Sequence, residues 1–194
     1  VRGLAPRRIL VVGPSYETRL LREELPAATV DTLGWFDHRF PLRDGETHVE
    51  LDLNDADRPP LETHDVVICS EVVEHLRVAP VPLLRYLGEA LTDGGRLILQ
   101  TPNAASLPNR LRLLLGRNPY EPIRDEPRNP GHFHEYTVSE LREAFTAAGL
   151  EVERILTANY FDHGTRKNRV FRAAGRALPR TLRDGITVVA RRRR

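Results

Sequence analysis

In 194 residues the chain has no methionine, one cysteine, one tryptophan and one lysine. Each scarcity excludes something. With Cys69 alone, no internal disulfide can form and no cysteine-based zinc site can be built. Inside an apolar run, a free cysteine acts as a small hydrophobe. Methionine is missing even at position 1, so the natural chain is expected to start before Val1. Lys167 is the single lysine among 29 basic residues, so nearly all positive charge is arginine. That bias reads as a GC-rich coding sequence more readily than as a dedicated anion-binding role. A formal net charge of +2 does not favour a general nucleic-acid binder, and at 6% aromatics are too few for a surface that stacks bases. No apolar run is long enough to span a bilayer and no secretory signal opens the chain, so the expected location is the cytoplasm.

What is present fits a single domain large enough for a real core. The pattern is organised around Asp65–Leu76, DVVICSEVVEHL. Val66–Cys69 is an unbroken apolar run, the mark of a strand buried on both faces. It runs into a polar turn with Ser70, Glu71, Glu74 and His75. In an open α/β sheet, ligands bind outside the carboxyl ends of such strands, so Ser70–His75 is where chemistry is expected.

Arg8–Gly13 is a second buried-strand run. Ser15 caps a helix over Tyr16–Leu25, with Leu20, Leu21 and Leu25 expected to face the core. Strand, tight turn and helix N-terminus together favour an anionic or polar ligand group. Thr29–Leu33 and Thr47–Leu51 read as short strands, the first followed by the turn Gly34–Asp37. Pro80–Leu91 reads as a helix ended by Asp93-Gly94-Gly95, and Arg96–Gln100 as a fifth strand. Ala104–Gly116 has an apolar face of Leu107, Leu111, Leu114 and Leu115, with Arg110, Arg112 and Arg117 opposite. Asn118–Gly131 is rich in proline and charge and reads as irregular. Thr137–Ala148 is a helix with a capping box from Thr137 and Glu140. Glu151–Tyr160 and Ile186–Ala190 are the last strands, suited to an antiparallel addition at one edge. Between them lies a basic stretch, Arg166–Arg183, that is either a solvated helix face or a meeting place for an acidic or lipid-linked substrate, anionic lipid or partner. Strands alternate with helices, so the class is α/β with a mainly parallel sheet.

His132, His134 and Glu135 invite a metal check. His-x-His supplies two ligands where a catalytic zinc site normally needs three, and His75 joins only by folding, so no metal site is expected.

In this order, the residues resemble the class I S-adenosylmethionine-dependent methyltransferases, and within them the small-molecule group related to ubiquinone-biosynthesis methyltransferases. Ser70–Leu76, Gly94–Asn103 and His132–Leu150 carry the resemblance, which runs from Arg8 to Arg191. It implies a Rossmann-like seven-stranded sheet of order 3-2-1-4-5-7-6, the seventh strand antiparallel, with helices on both faces. It implies S-adenosylmethionine as cofactor: Gly13, Pro14 and Ser15 toward its methionine part, Asp52 and Leu53 beside the adenine, and Ser70 and Glu71 on the sulfonium side. His75 would lie near the substrate entrance, and the segment 104–136 would cover the substrate. The chain departs from the family in two places. One glycine, Gly13, stands where the family has several, and Gly34 stands where an acid usually binds the ribose hydroxyls. Asp37 substitutes if the turn bends back.

The implied activity is methyl transfer to a small-molecule acceptor, foremost to oxygen. A hydroxyl acceptor needs a base for its proton, and His75 and His134 are the candidates. The alternative is a domain of this fold without catalysis, serving as a binding or scaffolding module. A nucleic-acid methyltransferase ranks last, for want of an Asn-Pro-Pro-Tyr or Asp-Pro-Pro-Tyr motif. The acceptor and the oligomeric state are open.

Overall fold

The computed structural model describes residues 1–126, 128–160 and 179–193. In chain order the elements are β1 (Arg8–Val12), α1 (Tyr16–Glu24), β2 (Thr29–Gly34), β3 (His48–Glu50), β4 (His64–Ser70), α2 (Pro80–Glu89), β5 (Leu91–Pro102), α3 (Leu107–Leu114), α4 (Val138–Ala147), β6 (Leu150–Ala158) and β7 (Gly185–Arg192). The strands form one sheet in the order β3-β2-β1-β4-β5-β7-β6. Pairings from β3 to β5 are parallel, and β7 runs antiparallel to both β5 and β6. This is the sheet expected from the sequence. The chain order reverses between β1 and β4, and the crevice at their carboxyl ends is where such sheets hold ligands.

Alternate residues of the central strands go to opposite faces. Ile9, Val11, Val66 and Ile68 meet Leu21 and Leu25 of the α1 region. Leu10, Val12, Val67 and Cys69 meet Leu83, Leu84 and Leu87 of α2 and Leu141 and Phe145 of α4. Both faces are therefore covered, as the unbroken apolar runs require.

Some local expectations change. Leu20 is exposed rather than in the core, and α1 instead buries Thr18 and Arg22. The reason is a carboxylate brought in from the β2–β3 connection. Arg22 Nε donates to Glu46 Oε1 at 3.0 Å and its NH2 to Oε2, so a paired guanidinium takes a place that periodicity gives to leucine. The fifth strand begins at Leu91, not Arg96, and runs through Asp93-Gly94-Gly95. Leu91 pairs with His64, and the register shift before Val66 absorbs the glycines. In α3 the helix forms, but most of its leucines stay in solvent. Of the basic stretch Arg166–Arg183, residues 166–178 lie outside the described residues, and Arg180–Leu182 is a single 3-10 turn before β7. Among the described residues, no helix is long and apolar enough to cross a membrane.

Candidate active site

A cleft of about 1050 Å³ opens at the carboxyl ends of β1, β2 and β4. Two glycines shape its floor. Gly13 (φ +74°) and Gly34 (φ +118°) both adopt left-handed backbone, which suits glycine. Gly13 N donates to Leu33 O at 2.8 Å. A Cβ on Gly13 would meet Val72 Cγ2 at 3.0 Å, and one on Gly34 would sit 3.5 Å from Gly13 N. The Gly34 backbone thus supplies close approach on this side where the Gly13 turn has a single glycine.

Beyond Gly34 the turn carries Trp35, Phe36 and Asp37 into the cleft wall. Asp37 is held by Arg39, whose backbone N, Nε and NH2 donate to it at 2.9, 3.0 and 2.6 Å. Those hydrogen bonds keep its carboxyl below the ordinary range. After β3, Asp52 Oδ1 accepts both Asn54 N and Nδ2 at 2.9 Å, which sets the turn that presents Leu51, Asp52 and Leu53. Asn54 Oδ1 accepts Arg77 N at 2.7 Å and ties this turn to the β4 side.

Ser15 caps α1, its Oγ accepting from Glu17 N. Glu17 in turn accepts Ser70 Oγ at 2.8 Å, which bridges the two sides of the cleft. Glu71 sits at φ +54°, a conformation rare for a side chain of its size. Its N donates to Gln100 O at 2.9 Å, and Gln100 Nε2 donates to Glu71 Oε1 at 3.3 Å. Burial, with the charge of Glu74 next, pushes the Glu71 carboxyl up to about 8.

Glu74 is 0% exposed. Oε2 accepts Thr101 Oγ1 at 2.9 Å, and Oε1 has no hydrogen-bond partner. Burial raises this carboxyl too. The Glu74 carbonyl accepts Phe133 N at 2.8 Å, which pins the 131–134 segment over the β4 turn. His75 Nδ1 donates to Gly131 O at 2.9 Å, so Nε2 carries the lone pair. Its ring meets that of His132 edge-on at 4.8 Å. His132 is bracketed by Glu135 (Nδ1, 2.9 Å) and Glu121 (Nε2, 3.1 Å). The Glu135 bond, against burial and with the surrounding carboxylates, raises its pKa and favours the imidazolium.

The cleft therefore brings together Gly13, Pro14, Ser15, Asp37, Asp52, Leu53, Ser70, Glu71 and His75. His134 lies elsewhere. It lines a second groove with Tyr136 and Glu140, its Nε2 3.3 Å from Glu140 Oε1. Of the segment 104–136, residues 124–126, 128–130 and Phe133 form the cleft mouth. Glu17 and Gln100 are not singled out from the sequence, Glu74 falls within Ser70–His75 without a role of its own, and His132 is weighed there only with His134 and Glu135. Glu74 had a signal, standing beside His75 and three residues after Glu71. Glu17 and Gln100 had none, because only the β1–β4–β5 pairing brings them to the turn.

Among the described residues, one cluster has ligand-type atoms close together: Glu74, His75 and His132, all within 4.8 Å. His134, half of the His-x-His pair, is not part of it. As arranged, both His132 nitrogens face carboxylates, so that ring has no free lone pair for a metal.

The residues fit a nucleoside cofactor. A Cβ-free floor at Gly13 and Gly34 admits a close-lying group, Asp37 offers an acceptor for hydroxyls, and Leu51 and Leu53 offer apolar walls. Residues 8–155 match the family model described as methyltransferase domain. A probable S-adenosylmethionine-dependent methyltransferase of Mycolicibacterium smegmatis is 33% identical over 118 residues, which is 61% of this chain and 38% of that protein. The chain thus spans well under half of that relative's length. A crystal structure of an S-adenosylmethionine-dependent methyltransferase from Mesorhizobium loti superposes with TM-score 0.66 at 18% identity, over 98% of this chain and 95% of that one. Another, from Archaeoglobus fulgidus, gives 0.59 at 18% identity, over 95% and 85%. At those identities the two structures speak for the fold alone. The family match covers most of the chain, and on it the chain belongs to the methyltransferase-domain family, with S-adenosylmethionine as the cofactor that membership implies.

Proposed function

We propose that this chain transfers the methyl group of S-adenosylmethionine to a small-molecule acceptor, foremost to a hydroxyl oxygen. The observation that carries the reading is the single cleft uniting Gly13, Asp37, Asp52, Leu53, Ser70 and Glu71 at the switch point of the sheet. Its volume, about 1050 Å³, supports a cofactor with a small acceptor beside it. The ubiquinone-related subgroup remains a reading from Ser70–Leu76.

When bound, the cofactor supplies an already activated methyl, so the protein's work is alignment and exclusion of water. Gly13 and Gly34 would leave room for the methionine part, Asp37 would accept from the ribose hydroxyls, and Leu51, Asp52 and Leu53 would hold the adenine. Burial and the charge of Glu74 lift Glu71 to about 8, and a cationic sulfonium beside it would draw that carboxyl back toward its ionised form, with Ser70 and Gln100 supplying polar contact. His75 is the proposed base. Its Nδ1–H is spent on Gly131, which leaves Nε2 to take the acceptor's proton as the methyl–oxygen bond forms. His134 is set aside for this role because its groove is a different one. Residues 124–126 and 128–130 at the mouth are the proposed substrate cover.

The test is calorimetric titration with S-adenosylmethionine, followed by detection of S-adenosylhomocysteine with a panel of phenolic, sugar and acidic acceptors. Micromolar binding and acceptor-dependent product support the reading. No binding up to millimolar sinks it.

A further inference from the structure

We propose that the outer face of α3 and the turn after it dock onto an anionic lipid bilayer. Leu111, Leu113, Leu114 and Leu115 are 51%, 53%, 82% and 72% exposed. Four leucines standing in water within five residues are unusual for a monomer surface, and such patches mark interaction sites. Leu111, Leu114 and Leu115 share one side of the helix, with Arg110 and Arg112 flanking it. Tyr120 and Ile123, also exposed, extend the apolar character along the chain. An apolar stripe edged by arginine is the composition of a helix that lies in a membrane interface.

Charge selects the occupant. Arg19, Arg96 and Arg191 each meet a surface carboxylate: Glu23, Glu153 and Glu151. Among the described residues, Arg110 and Arg112 do not. Their guanidinium groups donate to Ala105 O at 2.8 Å and Pro119 O at 3.2 Å, backbone carbonyls of the same segment. From Gly94 to Tyr120 the sequence contains no aspartate or glutamate, while Arg110, Arg112 and Arg117 stand within eight residues. A second copy laid face to face on the α3 patch would set Arg110, Arg112 and Arg117 against their own copies, and the next acid along the chain, Glu121, is already engaged by Arg124 and His132. Lipid phosphates supply that missing charge, and acyl chains take the leucines. The same segment leads to residues 124–126 and 128–130 at the cleft mouth, so a docked molecule holds that mouth near the membrane.

The experiment is vesicle flotation of the full chain, with phosphatidylcholine vesicles alone or containing phosphatidylglycerol, at low and high salt. Binding is expected only with the anionic lipid, and high salt should weaken it. Leu114→Glu with Leu115→Glu should lower the partition coefficient by at least about tenfold, since it replaces inserted methylenes with charge. Arg110→Gln and Arg112→Gln should each lower it about fivefold. All four side chains are exposed, so unfolding temperatures should hold. As a reading independent of those variants, Leu114→Cys carrying a polarity-sensitive dye should shift to the blue on anionic vesicles. Cys69 is fully buried and will not compete for label. Equal binding to neutral vesicles, an unmoved partition in the double leucine variant, or an unshifted dye would overturn the proposal. So would self-association in sedimentation, lost in that double variant, without any vesicle binding: the face would then join copies of the chain.

Discussion

Asp31 and Glu74 are both carboxylates taken out of water, 2% and 0% exposed, on the same sheet. Asp31 lies beside Arg8 and His64, the first residues of β1 and β4, away from the cleft. Its Oδ1 accepts Thr47 N and Oγ1 at 2.7 and 2.8 Å, and its Oδ2 accepts Arg8 Nε and His64 Nε2 at 3.0 and 3.1 Å. Burial alone would raise this carboxyl, but the His64 and Thr47 bonds and the Arg8 charge outweigh it and hold it at about 2. Glu74, at the cleft end, has one hydroxyl donor for Oε2 and none for Oε1, and burial wins. Equal burial thus goes with opposite pKa shifts, and the number of donors decides the direction. The satisfied acid fastens three parallel strands. The unsatisfied one stands where groups are poised rather than saturated, as functional sites are.

The largest effect should come from the cleft end. His75→Ala is expected to lower turnover by about 10²–10⁴-fold, the usual worth of a proton acceptor. His134→Ala should leave turnover near that of the unaltered chain. Matched losses in the two variants would erase the distinction between the two grooves. At the other end, Asp31→Ala takes the carboxylate from buried His64 and one of the two that Arg8 meets, Glu62 being the other, and should cost about 3 kcal/mol in urea unfolding, with S-adenosylmethionine affinity unchanged. Glu74→Gln should cost far less, because an amide loses little where burial already disfavours the charged carboxyl. Equal costs would mean that the two acids are both structural.

The contrast also bears on what the sequence makes legible. The strands and the cleft are readable because apolar runs such as Ile9–Val12 and Val66–Cys69 mark strands buried on both faces and their carboxyl ends carry polar turns, whereas the sheet order comes only with the family resemblance. Asp31 was not readable as a strand-fastening acid. It sits inside Thr29–Leu33, and its donors come from Arg8, Thr47 and His64, which meet only through β1–β2–β4 pairing. Arg22 failed for the same reason, its partner Glu46 being 24 residues away. In α3 the failure ran the other way. Leucine periodicity gives a helix face but does not say that protein covers it, and here most of it stays in solvent. Gly34 looked like a missing acid, yet its φ of +118° shows a backbone role that residue type alone does not reveal.

Acid titration sharpens the comparison at its satisfied end. Asp31 has a folded-state pKa of about 2, below its unfolded value, so its contribution is complete above about pH 4 and is lost as pH falls through about 2. The loss should be about 2 kcal/mol, read as a falling urea midpoint across that window. Replacing His64 with Ala, which removes one donor, should shrink the slope. An unchanged acid limb in Asp31→Ala would assign the loss to another group.

The smallest effect, and the one with opposite sign, belongs to the cleft acids. Glu71 has a folded-state pKa near 8, above the unfolded value, so the folded chain holds a proton that the unfolded chain has released. Stability must therefore fall as pH rises from about 4.5 to about 8, where Asp31 no longer contributes any slope. Glu71→Gln keeps the shape and the left-handed backbone but carries no titrating group. It should match the unaltered chain at pH 5 and exceed it at pH 8. Glu71 is only part-buried, and solvent screening limits the gain to on the order of 1 kcal/mol. Parallel pH profiles for the two chains would show that the cleft acids are as well satisfied as Asp31, and the line drawn between the two ends of the sheet would go with them.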